Sequence, residues 1–187
     1  MRRWCTIKMK NIIRIALLFL LLALLVSCTK EEQYGRVIKE KLTLETEDKV
    51  LLSANLYPEE TNKGVILLHG YKQDKNSWNF LADNLRGKGY NVLALDLRGH
   101  GESEIKLASM TSEDYNKMIL DVKAAFDYLS GKGIHEVSLI GSSLGANVAL
   151  NFASGEEAVQ RVVLLSPGLD YRGVAAEKAI REYKRPL

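Results

Sequence analysis

One stretch, residues 137–150, constrains the fold more than any other part of the sequence. A short apolar run ends in Gly141-Ser-Ser-Leu-Gly145, and a run of helix-forming residues follows at once. This order predicts a β-strand that turns sharply into an α-helix. Such a turn strains its central residue, and the close packing of strand against helix excludes side chains two positions to either side. Ser143 has glycine at both of those positions, whereas Ser142 does not.

The G-x-S-x-G pattern is typical of a nucleophile elbow, a turn that lifts one serine hydroxyl above the end of a sheet. Five residues alone are equally compatible with an ordinary turn of glycine and serine. The strand before the pattern and the helix after it favour the elbow, because the elbow requires that context. Ser143 is therefore the candidate nucleophile.

The other apolar runs predict strands. Residues 39–45 and 50–57 alternate in hydrophobicity, which predicts an antiparallel hairpin with one buried face. Later runs are continuously apolar, as in strands buried on both faces of a parallel sheet, and lie at residues 65–68, 90–95, 137–140 and 161–165.

Helical patterns lie between these strands. Helices are predicted at residues 77–88 and within residues 169–183. A third is predicted from a capping box formed by Thr111 and Asp114 to Gly131, with an apolar stripe that begins at Met118. The predicted fold is α/β, with a mostly parallel sheet flanked by helices and an N-terminal antiparallel hairpin.

The first 27 residues predict a targeting segment. Five basic residues and no acid precede residues 15–26, an apolar run of 12 residues that is too short for a transmembrane helix and fits a secretory signal. The run leads into Leu25-Val-Ser-Cys28, which resembles a bacterial lipobox, so Cys28 is expected to carry lipid. An ordinary signal peptide or an uncleaved anchor is the alternative.

This interpretation gives a signal peptide at residues 1–27, a tether at residues 28–37 and one domain at residues 38–187. The mature protein would be exported and anchored to the bacterial cell envelope by lipid on Cys28, because more than one acyl chain gives stable membrane attachment. The choice between inner and outer membrane stays open.

The net charge of +3 comes from the targeting segment. Without its five basic residues, the 23 acids outnumber the remaining bases, so nothing indicates a nucleic-acid partner. Cys5 lies in the signal peptide and Cys28 is the expected lipid site, which leaves the domain without a thiol for disulfide, metal or nucleophilic chemistry. We expect no metal site and no cofactor.

Three segments together resemble the α/β-hydrolase superfamily in order and spacing. Residues 67–71 resemble the His-Gly turn after the third strand, residues 96–103 resemble the loop after the fourth strand, and Gly141–Gly145 matches the elbow. The nearest branch is similar to dienelactone hydrolases and serine aminopeptidases. The resemblance implies a serine hydrolase that acts on an ester, thioester or peptide-type acyl bond, with the substrate and the oligomeric state left open.

The resemblance also implies roles for single residues. Ser143 would attack an acyl carbonyl, and the backbone N–H groups of Leu144 and Tyr71 would form the oxyanion hole. His69 and His100 would be structural residues of the two companion loops.

Two acids are weaker candidates. Asp170 follows the strand that ends at Leu165 and is a conceivable triad acid, because some hydrolases place the acid there. Asp96 ends an earlier strand and is expected to hold its loop.

The catalytic base is missing from the pattern. The triad order in this fold is Ser, then Asp or Glu, then His, and no histidine follows Ser143. A serine without its base is a poor nucleophile. The leading interpretation is a C-terminally truncated hydrolase that lacks the last strands and is inactive as this chain. The alternatives are a catalytically dead, lipid-anchored binding or structural protein on the same scaffold, or substitution by another histidine such as His100.

Overall fold

The computed structural model describes residues 39–185. The predicted signal peptide at residues 1–27, the lipid site Cys28 and the tether at residues 28–37 lie outside the described residues and stay predictions. No helix among residues 39–185 is long and apolar enough to cross a membrane.

Six strands form the main sheet, and their bounds are β1 Glu40–Glu45, β2 Leu51–Tyr57, β3 Lys63–Leu68, β4 Asn91–Leu95, β5 Glu136–Ser142 and β6 Val162–Leu165. Their order across the sheet is β1-β2-β4-β3-β5-β6. The four strands from β3 to β6 are parallel. The predicted hairpin of β1 and β2 is antiparallel and joins the sheet because β2 pairs with β4. The mostly parallel sheet with an N-terminal hairpin is as predicted.

Residues 39–185 contain five α-helices, and their bounds are α1 Asn79–Arg86, α2 Ser112–Asn116, α3 Met118–Gly131, α4 Leu144–Gly155 and α5 Glu177–Glu182. Shorter 3-10 turns lie at Lys75–Trp78 and Leu107–Ser109. The helix predicted at residues 77–88 is therefore a 3-10 turn followed by α1. Asp74 caps that turn by accepting a hydrogen bond from the Asn76 N–H.

The capping box at Thr111 is present, but it caps a shorter helix than the sequence predicts. The Thr111 hydroxyl accepts a hydrogen bond from the Asp114 N–H, and the Asp114 carboxylate accepts one from the Thr111 N–H. The helix that they cap, α2, ends at Asn116, and Lys117 is its C-cap, with φ of −73° and ψ of −6°. The long apolar stripe that begins at Met118 belongs to the separate helix α3.

The helix predicted within residues 169–183 is present as α5, and the first half of that range forms a hairpin that was not predicted. A small hairpin of β7 (Asp170–Tyr171) and β8 (Val174–Ala175) precedes α5. Its turn residues Arg172 and Gly173 have φ of 60° and 91°, the left-handed geometry of a tight hairpin turn. The Asp170 carboxylate accepts a hydrogen bond from the Gly173 N–H and fixes that turn.

The sheet is covered on both faces. One face carries α1, where Trp78 and Ala82 pack with Tyr57, Val65 and Leu67. The larger cluster on the other face joins strand residues to residues of α3 and α4, including Val122, Leu129, Val148 and Leu150. Within residues 39–185, β6 is an outer strand paired with β5, and its Val163 and Leu165 side chains are 45% and 43% exposed.

Candidate active site

Ser143 lies at the sharp turn between β5 and α4 and has a strained backbone, with φ of 52° and ψ of −117°. The two flanking glycines are required by close packing. A Cβ on Gly141 would lie 2.2 Å from the Gly145 carbonyl oxygen, and a Cβ on Gly145 would lie 2.3 Å from the Leu68 carbonyl oxygen. Both contacts are with backbone atoms, so the turn tolerates no other residue without rearrangement of strand or helix. This geometry is that of a nucleophile elbow.

The neighbouring serine has a different environment. Ser142 is the last residue of β5 and is in register with Leu165 of β6. The Ser143 N–H donates to the Leu165 carbonyl oxygen at 2.8 Å, so the elbow is also tied to the end of β6. The structure thus separates a sheet residue, Ser142, from the turn residue Ser143.

The two predicted oxyanion donors lie in turns that meet at Ser143. Leu144 is the first residue of α4, where a backbone N–H has no helical carbonyl to bind. Tyr71 follows Gly70, and a Cβ on Gly70 would lie 3.4 Å from the Ser143 Cβ. Among the residues that the structure describes, no acceptor binds the N–H of Leu144 or of Tyr71. Both groups are therefore available to an oxyanion.

His69 links two segments: the turn that contains Tyr71 and the loop after β4. The Leu97 N–H donates to His69 Nε2 at 3.1 Å, so that nitrogen is unprotonated. The proton is therefore on Nδ1, which donates to the Gly70 carbonyl oxygen at 2.8 Å. Burial lowers the pKa of His69 to about 4, and both ring nitrogens are engaged with backbone. His69 is placed as a structural residue and not as a base.

The other two histidines differ in burial, and among the described residues no partner binds Nε2 of the buried His100. His100 is buried, and its Nδ1 lies 3.0 Å from the Arg98 carbonyl oxygen, to which it donates. Burial lowers the pKa of His100, whose ring packs 5.0 Å from the His69 ring and 5.8 Å from the Tyr71 ring. His135 is exposed, next to the start of β5.

A buried ion pair that the sequence analysis missed also fixes the Tyr71 turn. Lys75 is 2% exposed, and its Nζ lies 2.6 Å from an oxygen of Asp96 and 2.6 Å from an oxygen of Glu102. Asp96 also accepts hydrogen bonds from the backbone N–H groups of Lys75 and Glu102. Burial opposes the charge on Lys75, but these hydrogen bonds outweigh it and raise the pKa of Lys75. Asp96 therefore holds two loops together, as predicted for it.

A second buried cation stabilises the loop after β4. Arg98 is fully buried and donates to both carboxylate oxygens of Asp48, at 2.7 Å and 2.9 Å, and to Asp121 at 2.7 Å. The hydrogen bonds from Arg98 lower the pKa of Asp48 to about 2. This cluster joins the β1–β2 turn, the loop after β4 and α3.

Asp170 is exposed on the β7–β8 hairpin, where its carboxylate accepts a hydrogen bond from the Gly173 N–H. No group of three or more side chains of the metal-binding types lies together among residues 39–185.

The sheet order, the strained Ser143 between two glycines and the free N–H groups beside it define an α/β hydrolase. The chain belongs to the serine aminopeptidase S33 family, whose model matches residues 59–185. This match supports the superfamily that the sequence resembles and the serine-aminopeptidase side of the predicted branch.

Individual relatives agree with this family. A serine hydrolase-like protein of Dictyostelium discoideum is 30% identical over 124 residues, which is 65% of this chain and 32% of that protein. A 2-succinyl-6-hydroxy-2,4-cyclohexadiene-1-carboxylate synthase of Klebsiella pneumoniae is 34% identical over 104 residues, which is 56% of this chain and 38% of the synthase. Among solved structures, the Pyrococcus furiosus esterase Pf2001 is 33% identical with a TM-score of 0.63, over 69% of this chain and 52% of the esterase. The chain spans about half or less of the length of these relatives.

Proposed function

We propose that Ser143 is the nucleophile of a serine hydrolase that acts on an ester, thioester or peptide-type acyl bond. The observation that carries the proposal is the strained Ser143 between Gly141 and Gly145, with the unengaged N–H groups of Leu144 and Tyr71 beside it. Such donors stabilise the charge that develops on a carbonyl oxygen when a nucleophile adds to it. The esterase and hydrolase relatives support the same class of reaction.

The reaction has two acyl-transfer steps. The Ser143 Oγ gives its proton to a base and adds to the acyl carbon, while the carbonyl π electrons move onto oxygen and form the oxyanion. The N–H groups of Leu144 and Tyr71 hold that oxyanion. Collapse breaks the bond to the leaving group, which takes the proton. Water then repeats the sequence on the acyl-enzyme and releases the acid.

None of the three histidines in residues 39–185 is placed as the general base for Ser143. His69 uses both ring nitrogens on backbone groups, His100 is buried with Nδ1 engaged, and His135 is exposed near the start of β5. A serine without a general base is a poor nucleophile, so we expect this chain alone to turn over substrate poorly.

Chemical rescue tests the nucleophile directly. Imidazole in millimolar amounts is added to the chain with p-nitrophenyl acetate, because a free imidazole can replace a missing histidine base. We expect imidazole-dependent release of p-nitrophenol that Ser143→Ala loses and Ser142→Ala keeps. The rate with Ser143→Ala also measures the background reaction of imidazole with the ester. Equal rates in wild type and Ser143→Ala contradict the proposal.

The second candidate is a catalytically inactive binding protein on the hydrolase scaffold. It is favoured by the backbone contacts of both His69 ring nitrogens and by the burial of His100, and no base forms a hydrogen bond with Ser143 among the described residues. A fluorophosphonate probe distinguishes the two functions. Labelling of Ser143 in the presence of imidazole supports the hydrolase, whereas a chain that binds esters but is never labelled or rescued is the binding protein.

We also propose that the protein is exported as a lipoprotein, with residues 1–27 removed and lipid attached to Cys28 at the cell envelope. The basic segment, the short apolar run and the lipobox-like end support this. Metabolic labelling with radioactive palmitate in a bacterial host tests it. We expect a labelled membrane-bound protein, and loss of the label in Cys28→Ser. Label that persists in Cys28→Ser contradicts the assignment.

A further inference from the structure

We propose that Arg172 and Lys72 form a cationic rim around Tyr71 and that this rim selects acyl substrates that carry a carboxylate near the scissile bond. The inference rests on the proposed hydrolase function, because it places the rim beside the oxyanion donor Tyr71. It adds a substrate class that the nucleophile and the oxyanion hole do not define by themselves.

The β7–β8 hairpin that carries Arg172 is fixed to the helix of the elbow. Asn147 of α4 is fully buried, and its amide nitrogen donates to the Gly168 carbonyl oxygen at 3.0 Å and to the Val174 carbonyl oxygen at 2.8 Å. Its amide oxygen accepts from the Gly168 N–H. One turn later, Asn151 donates to the Ala175 carbonyl oxygen at 2.9 Å. The hairpin is thus held in place by the same helix that begins at the nucleophile.

Both cations lie against the Tyr71 ring. The Arg172 guanidinium carbon is 4.2 Å from the ring centroid, and the Lys72 Nζ is 5.6 Å from it. Such contacts orient a cation over an aromatic face without using its hydrogen-bond donors. Arg172 and Lys72 have φ of 60° and 61°, so each sits at the tip of a left-handed turn. The guanidinium donors of Arg172 remain available to a ligand.

The positive charges are not paired locally. Within residues 39–185, no carboxylate oxygen lies within 4.0 Å of the Arg172 guanidinium or of the Lys72 amine. The two nearest acids in sequence are engaged with backbone: Asp170 accepts from the Gly173 N–H, and Asp74 accepts from the Asn76 N–H. The charge of Arg172 also reaches Tyr115, where it opposes the rise that burial causes in the pKa of that phenol.

These observations point to a carboxylate as the matching ligand group. A guanidinium binds a carboxylate with two parallel hydrogen bonds, and a lysine adds a point charge. The Tyr71 backbone N–H and the Tyr71 ring belong to one residue, so a carboxylate at the rim and a carbonyl at the oxyanion hole can belong to one short molecule. Half-esters of dicarboxylic acids have that arrangement.

A ligand-observed NMR titration tests the rim without any turnover. The full-length chain, in mild detergent, is titrated with monoethyl succinate and with its neutral counterpart diethyl succinate. We expect the chain to bind the monoester about threefold to tenfold more tightly, and the preference to fall as salt is raised towards about 0.3 M. Arg172→Gln and Lys72→Gln should each remove part of the preference, and Arg172→Lys should lose less than Arg172→Gln, because it keeps the charge but not the two parallel hydrogen bonds.

Lys132→Gln is the matched control. Its Nζ also lies 5.6 Å from a tyrosine ring, that of Tyr128, at the end of α3. An equal loss in Lys132→Gln, or equal binding of the two succinate esters by wild type, overturns the inference. The titration does not depend on Ser143 chemistry. Imidazole rescue without a carboxylate preference therefore contradicts the rim alone, and a preference without rescue contradicts the nucleophile alone.

Discussion

The two turns that meet at Ser143 are held in different ways. The elbow is fixed by backbone packing, with glycines at positions where a Cβ would lie 2.2 Å and 2.3 Å from carbonyl oxygens. The turn that carries Tyr71 is fixed by polar side chains, among them His69, Gln73 and the buried Lys75. Steric constraint is insensitive to pH and salt, whereas hydrogen bonds and charges respond to both. Ser143 should therefore keep its geometry under conditions that loosen the turn that carries Tyr71.

The largest loss of stability should come from a substitution in the turn around Ser143. Gly145→Ala places a methyl group against the Leu68 backbone, which cannot move without distorting β3, and we expect a loss of more than about 3 kcal/mol in the free energy of unfolding. Urea denaturation measures it. Gly155→Ala, at the end of the same helix with no atom within 4 Å of the new methyl group, is the control and should be near neutral. Similar losses in both variants would show that packing does not hold the elbow.

The second largest loss of stability should come from breaking the buried ion pair between Lys75 and Asp96. Lys75→Met leaves the Asp96 carboxylate buried without its cation, and we expect a loss of about 3 kcal/mol in unfolding free energy. Adding Asp96→Asn to Lys75→Met should recover part of it, because the unpaired charge is removed. Lys123→Met, which breaks an exposed pair with Asp127, should change stability by less than about 0.5 kcal/mol. A Lys75→Met variant as stable as wild type would argue against polar control of this turn.

His69 should contribute to the pH dependence of stability. Its pKa is about 4 in the folded state and near 6.5 when unfolded, so between these values the unfolded chain binds a proton that the native protein does not bind. His69 should therefore lower stability by about 2 kcal/mol between pH 7 and pH 5. Asp121 opposes this loss over the same range, because burial raises its pKa to about 7 in the folded protein.

Urea unfolding over this pH range measures the slope. The difference in unfolding free energy between wild type and His69→Gln should change by about 2 kcal/mol between pH 7 and pH 5, whereas the difference for the exposed His135→Gln should stay constant. A difference for His69→Gln that does not change with pH would show that His69 does not cause the effect.

The smallest effect should come from Gln73, whose side-chain oxygen accepts the Gly70 N–H at 3.0 Å. Gln73→Ala should cost about 1 kcal/mol in unfolding free energy. It should also lower the imidazole-rescued rate, because the Tyr71 turn loses one support. The exposed Gln160→Ala is the matched control, and a rescued rate equal in both variants would remove Gln73 from the site.

The turn around Ser143 could be predicted from the sequence because the residues that determine it are adjacent in the chain. The glycines around Ser143, the strand before it and the helix after it are adjacent in the chain, and steric rules connect them. The same holds for the capping box at Thr111, although no comparable local pattern marks the end of its helix at Asn116. The roles of Tyr71 and Leu144 came from the family resemblance, and the free N–H groups observed there agree with it.

The features that the sequence did not reveal depend on distant partners. Lys75 meets Asp96 21 residues away, and nothing in its immediate neighbours marks it as buried. Asn147 binds carbonyl groups of a hairpin up to 27 residues away. The hairpin has one local feature, Asp170 three residues before Gly173, but its strands of two residues are too short to show a hydrophobic alternation.

The hydrogen bond from the Ser143 N–H to the Leu165 carbonyl oxygen has a consequence for observing this protein in solution. Leu165 ends the outer strand β6 of the described sheet, so each transient opening of that strand end also frees the amide proton of Ser143 to exchange with solvent. Deuterium uptake at that one amide would report how often the end of β6 opens. This exchange rate would report on the surroundings of Ser143 in wild type and in variants alike, without any assay of turnover.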